Sequence, residues 1–220
     1  MNNGPDLFKS QRLDMVSGQI ASRGVRDQRV LEAMRTIPRH LFVPAEYQPV
    51  AYSDGPLPIG EGQTISQPYI VALMSEQLAL RGDEMVLEVG TGSGYQAAVL
   101  ACLARQVHTI ERHAALAGRA REVLAELGLV NVQVHLGDGS AGLPAYAPYQ
   151  GILVTAAAPR LPRPLLEQLA KQGRLVLPVG GWLGQTLETW QRRGDTFDRR
   201  QVLPVAFVPL RGKHGWQEDG

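Results

Sequence analysis

Residues 86–95 read VLEVGTGSGY, which predicts a buried strand that runs directly into a glycine loop and then into a helix. Glycines at 90, 92 and 94 let the backbone turn tightly and approach a ligand without a Cβ atom in the way. A dinucleotide fingerprint would need another glycine where Tyr95 stands, and a P-loop would need a lysine after the loop. The spacing therefore predicts a ligand-binding loop of another kind, and a plain glycine-rich turn is the alternative.

Apolar and amphipathic segments alternate along the chain from residue 82 onward. Apolar runs predict strands over residues 85–89, 107–110, 132–136, 152–155 and 174–179. Helical patterns lie between them, over residues 95–104, 116–127 and 164–171. Two late strands are predicted over residues 187–191 and 202–210. This alternation predicts an α/β fold with a mostly parallel sheet and helices on both of its faces.

The first 81 residues differ in texture from the rest. Helices are predicted over residues 6–23, over a segment that Asp27 caps and that ends near Pro38, and over residues 69–80. Residues 49–62 are rich in Pro and Gly and predict a long loop without regular structure, either a lid or a solvated linker. We therefore expect an N-terminal helical segment with a site loop (1–81) and a ligand-binding core (82–220), joined in one compact unit.

Composition narrows the class of protein. The 220 residues carry 22 Lys and Arg against 21 Asp and Glu, a balance that argues against a nucleic-acid coat protein. No run approaches the roughly 18 apolar residues of a membrane-spanning helix. We expect a soluble cytoplasmic protein with neither nucleic-acid nor membrane partners. The five histidines lack metal-ligand spacing, so no metal is expected, and the single Cys102 is expected to be buried in the helix after the glycine loop.

The glycine loop resembles the first motif of the S-adenosylmethionine-dependent methyltransferases, which implies cofactor contacts from Gly90, Thr91, Gly92, Ser93, Gly94 and Tyr95. That cofactor also needs a carboxylate for its ribose hydroxyls, and Glu111 ends the next predicted strand, 17 positions after Gly94. The third strand leads to Asp138 and Gly139, where the carboxylate would accept from the adenine amine and the glycine would let the ring lie close. A surface glutamate and an Asp-Gly turn are the alternatives. All three elements stand in order at strand ends, which favours S-adenosyl-L-methionine, with S-adenosyl-L-homocysteine as product.

The segment after the fourth predicted strand distinguishes methyl acceptors. Amino-group methylases of nucleic acids carry an Asn/Asp-Pro-Pro-aromatic motif there, whereas residues 154–159 read VTAAAP. Cytosine-C5 methylases use a Pro-Cys nucleophile, and Cys102 falls inside a predicted helix. Neither nucleic-acid chemistry therefore fits this chain.

Several segments together resemble the protein-L-isoaspartate (D-aspartate) O-methyltransferases of the bacterial type. They are RVLEAMRTIPRHLFVP (29–44), QTISQP (63–68), LEVGTGSGY (87–95), GDG (137–139), VTAAAP (154–159), GRLVLPVG (173–180) and FVPL (207–210). The pair QTISQP and VTAAAP is more diagnostic than the glycine loop. The resemblance implies a Rossmann-like methyltransferase domain with an N-terminal helical addition. It also implies protein repair, with L-isoaspartyl and D-aspartyl residues of damaged proteins and peptides as substrates, and we expect a monomer.

The resemblance further implies a catalytic role for Ser66, whose hydroxyl would donate to the substrate carboxylate while leaving the attacking oxygen free. On local sequence alone, a cap of the following helix is the favoured reading of Ser66, and the resemblance reverses that preference. The neighbouring Gln63, Thr64 and Ile65 would line the same loop beside the cofactor.

Substrate contacts are expected after the fourth strand, where small residues would offer backbone groups to an extended peptide. These residues are Val154, Thr155, Ala156 and Ala157. The alternative is a buried strand with a small-residue turn. A carboxyl group with a pKa near roughly 4 is already an anion at pH 7, so no general base is expected. Two other functions remain open: a methyltransferase for another protein or small-molecule acceptor, and a module that binds the cofactor without chemistry.

Overall fold

The fold of the chain is taken from a computed structural model that describes residues 8–217. Its α-helices are α1 (Lys9–Asp14), α2 (Gln28–Thr36), α3 (Pro68–Leu78), α4 (Tyr95–Ala101), α5 (Ala114–Glu126) and α6 (Arg163–Glu167). Its strands are β1 (Leu57–Gly60), β2 (Gln63–Ile65), β3 (Met85–Val89), β4 (Gln106–Glu111), β5 (Val132–Leu136), β6 (Tyr149–Val154), β7 (Leu169–Gly181), β8 (Gly184–Arg193) and β9 (Thr196–Val205). Short 3-10 turns cover Ala21–Arg23, Arg39–Phe42, Ala45–Val50, Gly139–Ala141 and Pro144–Tyr146.

Seven strands form one sheet in the order β5-β4-β3-β6-β7-β8-β9. The pairs from β5 to β7 are parallel, and β8 and β9 add antiparallel strands at one edge. The central strands are buried on both sides, as a sheet covered on both faces requires, and most of their residues are apolar. Val86 belongs to one buried cluster and Leu87 to the other, and because successive side chains point to opposite faces, each face carries its own core. The predicted mostly parallel sheet is confirmed.

The strand order creates a crevice at the middle of the sheet. From β3 the chain passes outward to β4 and β5, then returns to place β6 on the other side of β3. Open α/β sheets bind ligands at such a switch point, outside the carboxyl ends of the strands. The glycine loop after β3 lies at this point, so the topology places it where a ligand site is expected.

The N-terminal segment packs onto the sheet. Asp27 caps α2 as predicted, because its side chain accepts from the backbone N–H of Arg29 at 2.8 Å. The helix ends before Pro38, also as predicted. Met15 and Met34 are fully buried in the same apolar cluster as Val86 of β3. The helical addition and the sheet therefore share a core.

Other local predictions need correction. The helix predicted over residues 6–23 is α-helical only in α1 and continues as a π-helical stretch, Met15–Ile20. Residues 6 and 7 lie outside the described residues. The loop predicted over residues 49–62 contains β1, which pairs with β2 through a turn with positive φ at Gly60, Glu61 and Gly62. Such a glycine turn permits a hairpin despite the Pro-rich composition.

Three further predictions on the core were wrong. The helix predicted over residues 164–171 ends at Glu167, since Leu169 pairs with Tyr149 and begins β7. Cys102 is the C-terminal cap of α4 and is exposed rather than buried. The strand predicted over residues 202–210 ends at Val205, and the residues after it bend toward the crevice.

Candidate active site

A cleft opens at the carboxyl ends of β3 and β4 and encloses about 840 Å³ including its open mouth. We call it the central cleft. The predicted site residues that line it are Gln63, Thr64, Ile65, Ser66, Gly90, Thr91, Gly92, Ser93, Tyr95, Glu111, Gly139, Thr155 and Ala156. The lining therefore unites the glycine loop, the QTIS loop and the ends of β4 and β6.

The glycine loop is held by the two strands that flank β3. Gly90 has φ +95°, and a Cβ atom there would lie 2.3 Å from Oγ1 of Thr155, so only glycine fits. The Thr155 hydroxyl donates to the Gly90 carbonyl at 2.6 Å, and the Gly90 N–H donates to the Ile110 carbonyl at 2.9 Å. These contacts fix the turn before any ligand arrives.

Glu111 stands at the end of β4 with its carboxylate in the central cleft. Its Oε2 accepts from the Gly92 N–H at 2.8 Å, and its Oε1 accepts from the His113 N–H at 3.0 Å. Each carboxylate oxygen can accept a further hydrogen bond. The carboxylate is thus oriented by the backbone and retains capacity for ligand hydroxyls.

A second carboxyl, which the sequence analysis did not single out, lies beneath the loop. Glu88 is fully buried within β3, and its Oε2 accepts from the Thr109 hydroxyl at 2.5 Å. Its Oε1 has no hydrogen-bond partner among the described residues. Burial raises the pKa of Glu88 to about 8, although the Thr109 hydrogen bond opposes this effect. An acidic residue inside a predicted apolar strand was the sequence feature from which this buried carboxyl could have been predicted.

Of the two residues predicted at the adenine, Gly139 lies in the cleft and Asp138 lies at the protein surface. Gly139 lines the cleft, and a Cβ atom there would lie 2.6 Å from Cγ1 of Val89, which explains the glycine. Asp138 does not line it. Its carboxylate instead accepts from the N–H groups of Ser140 and Lys213, both at 2.8 Å. Burial acts to raise the pKa of Asp138, but these hydrogen bonds outweigh it and lower that pKa. The carboxylate thus anchors the C-terminal segment, and the adenine contact expected of its side chain stays a prediction.

The β6 end also differs from expectation. Thr155 and Ala156 line the cleft, whereas Val154 and Ala157 are buried behind it. The Thr155 N–H donates to Val89, and the Ala157 N–H donates to Val208. The Ala157 carbonyl accepts from Leu210 N–H. At residues 155 and 157 the chain itself takes these hydrogen bonds, and the use of this segment by a peptide stays a prediction.

Ser66 lies half-buried on the wall of the cleft, directly after β2. The following helix α3 has Gln67 as its N-cap and no side-chain capping hydrogen bond, so the alternative reading of Ser66 as a cap is not realised. Within residues 8–217 the Ser66 hydroxyl has no hydrogen-bond partner, while its carbonyl accepts from Nη2 of Arg39 at 2.8 Å. The backbone is anchored and the hydroxyl remains available.

One wall of the cleft was not assigned from sequence. Val208, Pro209, Leu210 and Arg211 line it, held in place by the pairing with Ala157. The FVPL segment carried this signal, but its position beside the glycine loop depends on contacts across the whole core.

Along the described part of the chain, no helix is long and apolar enough to cross a membrane. A search of residues 8–217 likewise finds no group of three or more His, Cys, Asp or Glu side chains that could hold a metal ion.

Comparison with known proteins adds to this geometry. Residues 10–215 match the family model for protein-L-isoaspartate(D-aspartate) O-methyltransferase. A protein-L-isoaspartate O-methyltransferase of Methanoregula boonei is 56% identical over 207 residues, which cover 94% of this chain and 95% of that protein. One of Roseiflexus sp. is 54% identical over 209 residues, with 95% of each chain covered.

Solved structures agree in fold. A protein-L-isoaspartate O-methyltransferase superposes with a TM-score of 0.82 and 28% identity, over 94% of this chain and 67% of that one. A putative enzyme of this name from Plasmodium falciparum, in complex with S-adenosyl-L-homocysteine, gives 0.79 and 23% identity over 90% and 97% of the two chains. With this match over nearly its full length, the chain belongs to the protein-L-isoaspartate(D-aspartate) O-methyltransferase family of S-adenosylmethionine-dependent methyltransferases.

Proposed function

We propose that the central cleft transfers the methyl group of S-adenosyl-L-methionine to the free α-carboxylate of L-isoaspartyl residues in damaged proteins and peptides. The single observation that carries the proposal is the available Ser66 hydroxyl, which shares one cleft with the glycine loop and Glu111. The product S-adenosyl-L-homocysteine leaves from the same cleft. The side-chain carboxylate of D-aspartyl residues, named in the family description, is proposed as a second acceptor.

The cofactor fits the residues present on one side of the cleft. Gly90 and Gly139 line the cleft with backbone alone, and a Cβ atom at either position would collide with Thr155 or Val89 behind it. Glu111 would accept from the two ribose hydroxyls, and Gly139 would allow the adenine to lie against the chain. The backbone from Thr91 to Ser93 would enclose the amino-acid portion.

The acceptor needs positioning rather than deprotonation. A carboxylate is already a nucleophile at pH 7, so the catalytic contribution is to hold one oxygen in line with the methyl group that the cofactor supplies. Ser66 would donate to the other oxygen. Thr155 and Ala156 would form the floor beneath the substrate, and residues 208–211 the opposite wall.

We also propose that the protein acts as a cytoplasmic monomer without nucleic-acid partners. The net charge of +1 supports the proposed lack of nucleic-acid partners, because nucleic-acid binding draws on a strong basic excess. The divisions 1–81 and 82–220 are proposed to unfold together, since both contribute to one buried cluster. A single species near 24 kDa in light scattering and one cooperative melting transition are expected.

The decisive experiment compares two peptides that differ only in an isoaspartyl or a normal aspartyl residue. With radiolabelled cofactor, we expect volatile methanol, released after ester formation, from the isoaspartyl peptide alone; a D-aspartyl peptide forms a third arm. Equal turnover of both L-peptides would defeat the proposed specificity. Methylation of neither, with normal S-adenosyl-L-homocysteine binding, would point to another acceptor.

A further inference from the structure

A buried arginine lies behind the wall of the central cleft. Arg39 follows Pro38 in a 3-10 turn, and its side chain is fully buried. Burial lowers its pKa to about 10, so it remains a cation at pH 7. No salt bridge to a carboxylate is found for it among the described residues. A buried charge without a counter-ion is costly unless polar groups compensate, which indicates a specific arrangement.

The partners of this guanidinium come from three separate segments. Nε donates to the Ala51 carbonyl and Nη2 to the Ser66 carbonyl, both at 2.8 Å. The guanidinium carbon lies 4.9 Å from the ring centroid of Tyr95, a cation–π distance. Tyr95 is the first residue of α4, directly after the glycine loop, and it lines the cleft. One side chain thus joins the loop that carries Ser66 to the element that follows the glycine loop.

The position of the Ser66 hydroxyl depends on this contact. Within residues 8–217 that hydroxyl has no hydrogen bond of its own, so its place is set by the backbone that carries it. Arg39 donates to the carbonyl of that same residue. A shift of the carbonyl would move the hydroxyl relative to the glycine loop, and misplacement by about 1 Å can cost roughly 100-fold in rate.

We propose that Arg39 is a positioning residue for methyl transfer, which fixes Ser66 against the glycine loop through Tyr95 and the Ser66 carbonyl. The inference rests on the proposed role of Ser66. It assigns to Arg39 a larger effect on turnover of the bound carboxylate than on cofactor affinity. Its hydrogen bonds reach the Ala51 and Ser66 carbonyls, whereas Tyr95 is the residue it meets among those expected at the cofactor, and Glu111 and Gly90 do not involve it.

Lysine cannot replace Arg39 in this role. The planar guanidinium directs separate N–H groups at two carbonyls while its central carbon lies over the Tyr95 ring, whereas an ammonium is a compact point charge. Arg39→Lys keeps the charge and loses the geometry. Arg39→Met removes the charge and keeps much of the volume. Arg29 provides a control with a similar hydrogen-bond pattern but a more exposed side chain, since its guanidinium donates to two carbonyls, Leu80 and Leu103, both at 2.9 Å and outside the cleft lining.

The experiment measures kcat and KM on the isoaspartyl peptide, the Kd for S-adenosyl-L-homocysteine by calorimetry, and the melting temperature. For Arg39→Lys and Arg39→Met we expect kcat to fall at least about tenfold, with Kd within about threefold of wild type. For Arg29→Met we expect a lower melting temperature and unchanged kcat. In a Ser66→Ala background, Arg39→Lys should cause little further loss of kcat, because residues that act as one unit are not additive.

Several results would overturn the proposal. They are a kcat for Arg39→Lys within twofold of wild type, a Kd that weakens in proportion to kcat, or an equal kcat loss in Arg29→Met. Full additivity with Ser66→Ala would also overturn it. An Arg39→Lys protein that is unfolded at the assay temperature while Arg29→Met stays folded would give Arg39 a structural role instead. If wild type methylates only another acceptor, the substrate assignment fails, and the same kcat and Kd comparison on that acceptor still decides the role of Arg39.

Discussion

Replacing Glu88 by glutamine should remove a large part of the pH dependence of stability. The buried carboxyl has a pKa raised from 4.5 to about 8, and its Oε1 lacks a hydrogen-bond partner among the described residues. Below pH 4.5 the carboxyl is protonated in both folded and unfolded chains, so there its ionisation does not change the free energy of unfolding. Between 4.5 and 8 the unfolded chain ionises and the folded chain does not, so stability is lost as the pH rises through this window.

The size of the effect follows from the pKa difference. About 3.5 pKa units at 1.36 kcal/mol each amount to roughly 5 kcal/mol across the window. Glu88→Gln keeps an acceptor for the Thr109 hydroxyl and cannot ionise. The variant should therefore gain stability relative to wild type as the pH rises from 5 to 8, by several kcal/mol, with little difference at pH 4.5.

Urea unfolding at pH 4.5, 5.5, 6.5, 7.5 and 8 measures this difference. Subtracting the unfolding free energy of the variant from that of wild type removes the contributions that other groups make to both proteins. His108 makes a contribution of opposite sign, because burial and the nearby His135 lower its pKa to about 4. Glu126→Gln, at the exposed end of α5, is a control that should leave the wild-type profile in place. Parallel profiles for wild type and Glu88→Gln would refute the reasoning.

Three further predictions concern the cleft. Ser66→Ala should lower kcat about tenfold or more while S-adenosyl-L-homocysteine affinity stays unchanged in calorimetry; unchanged kcat would remove Ser66 from the mechanism. Glu111→Ala should weaken that affinity by about 10- to 100-fold, since hydrogen bonds to a charged group contribute roughly 1.5–3 kcal/mol, and it should also lower the melting temperature. Gly139→Ala should cost about 1–3 kcal/mol of stability by overpacking against Val89. As a control, Gly118→Ala should stabilise by about 0.5–1 kcal/mol, because a Cβ atom there meets open space on α5. Similar shifts in melting temperature for both variants would contradict the packing argument.

The sheet and the cofactor side of the cleft were predictable because their determinants are local. Strand, glycine loop and helix follow one another within residues 86–95, and Glu111 ends the next strand. The spacing of these residues along the chain fixes their meeting at one edge of a parallel sheet. Membership of the family likewise followed from contiguous motifs such as QTISQP.

The failures have long-range causes. Asp138 was expected at the cleft, but its carboxylate binds the N–H of Lys213, 75 residues along the chain. The segment after β6 was expected to offer backbone groups to a peptide, and at Ala157 those groups pair with Val208 and Leu210. The sequence does not distinguish Arg39 from the other arginines, because its contacts are with Ser66 and Tyr95, which only the folded core brings together.

The walls of the central cleft come from both ends of the chain, the QTIS loop near residue 66 and the segment 208–211. The latter is attached by hydrogen bonds of Leu210 and Trp216 to Ala157 and of Lys213 to Asp138. A chain emerging from the ribosome thus completes its sheet before it completes its cleft. A cut near residue 207 would remove this wall of the cleft while leaving the seven-stranded sheet, whose last strand ends at Val205, in the chain.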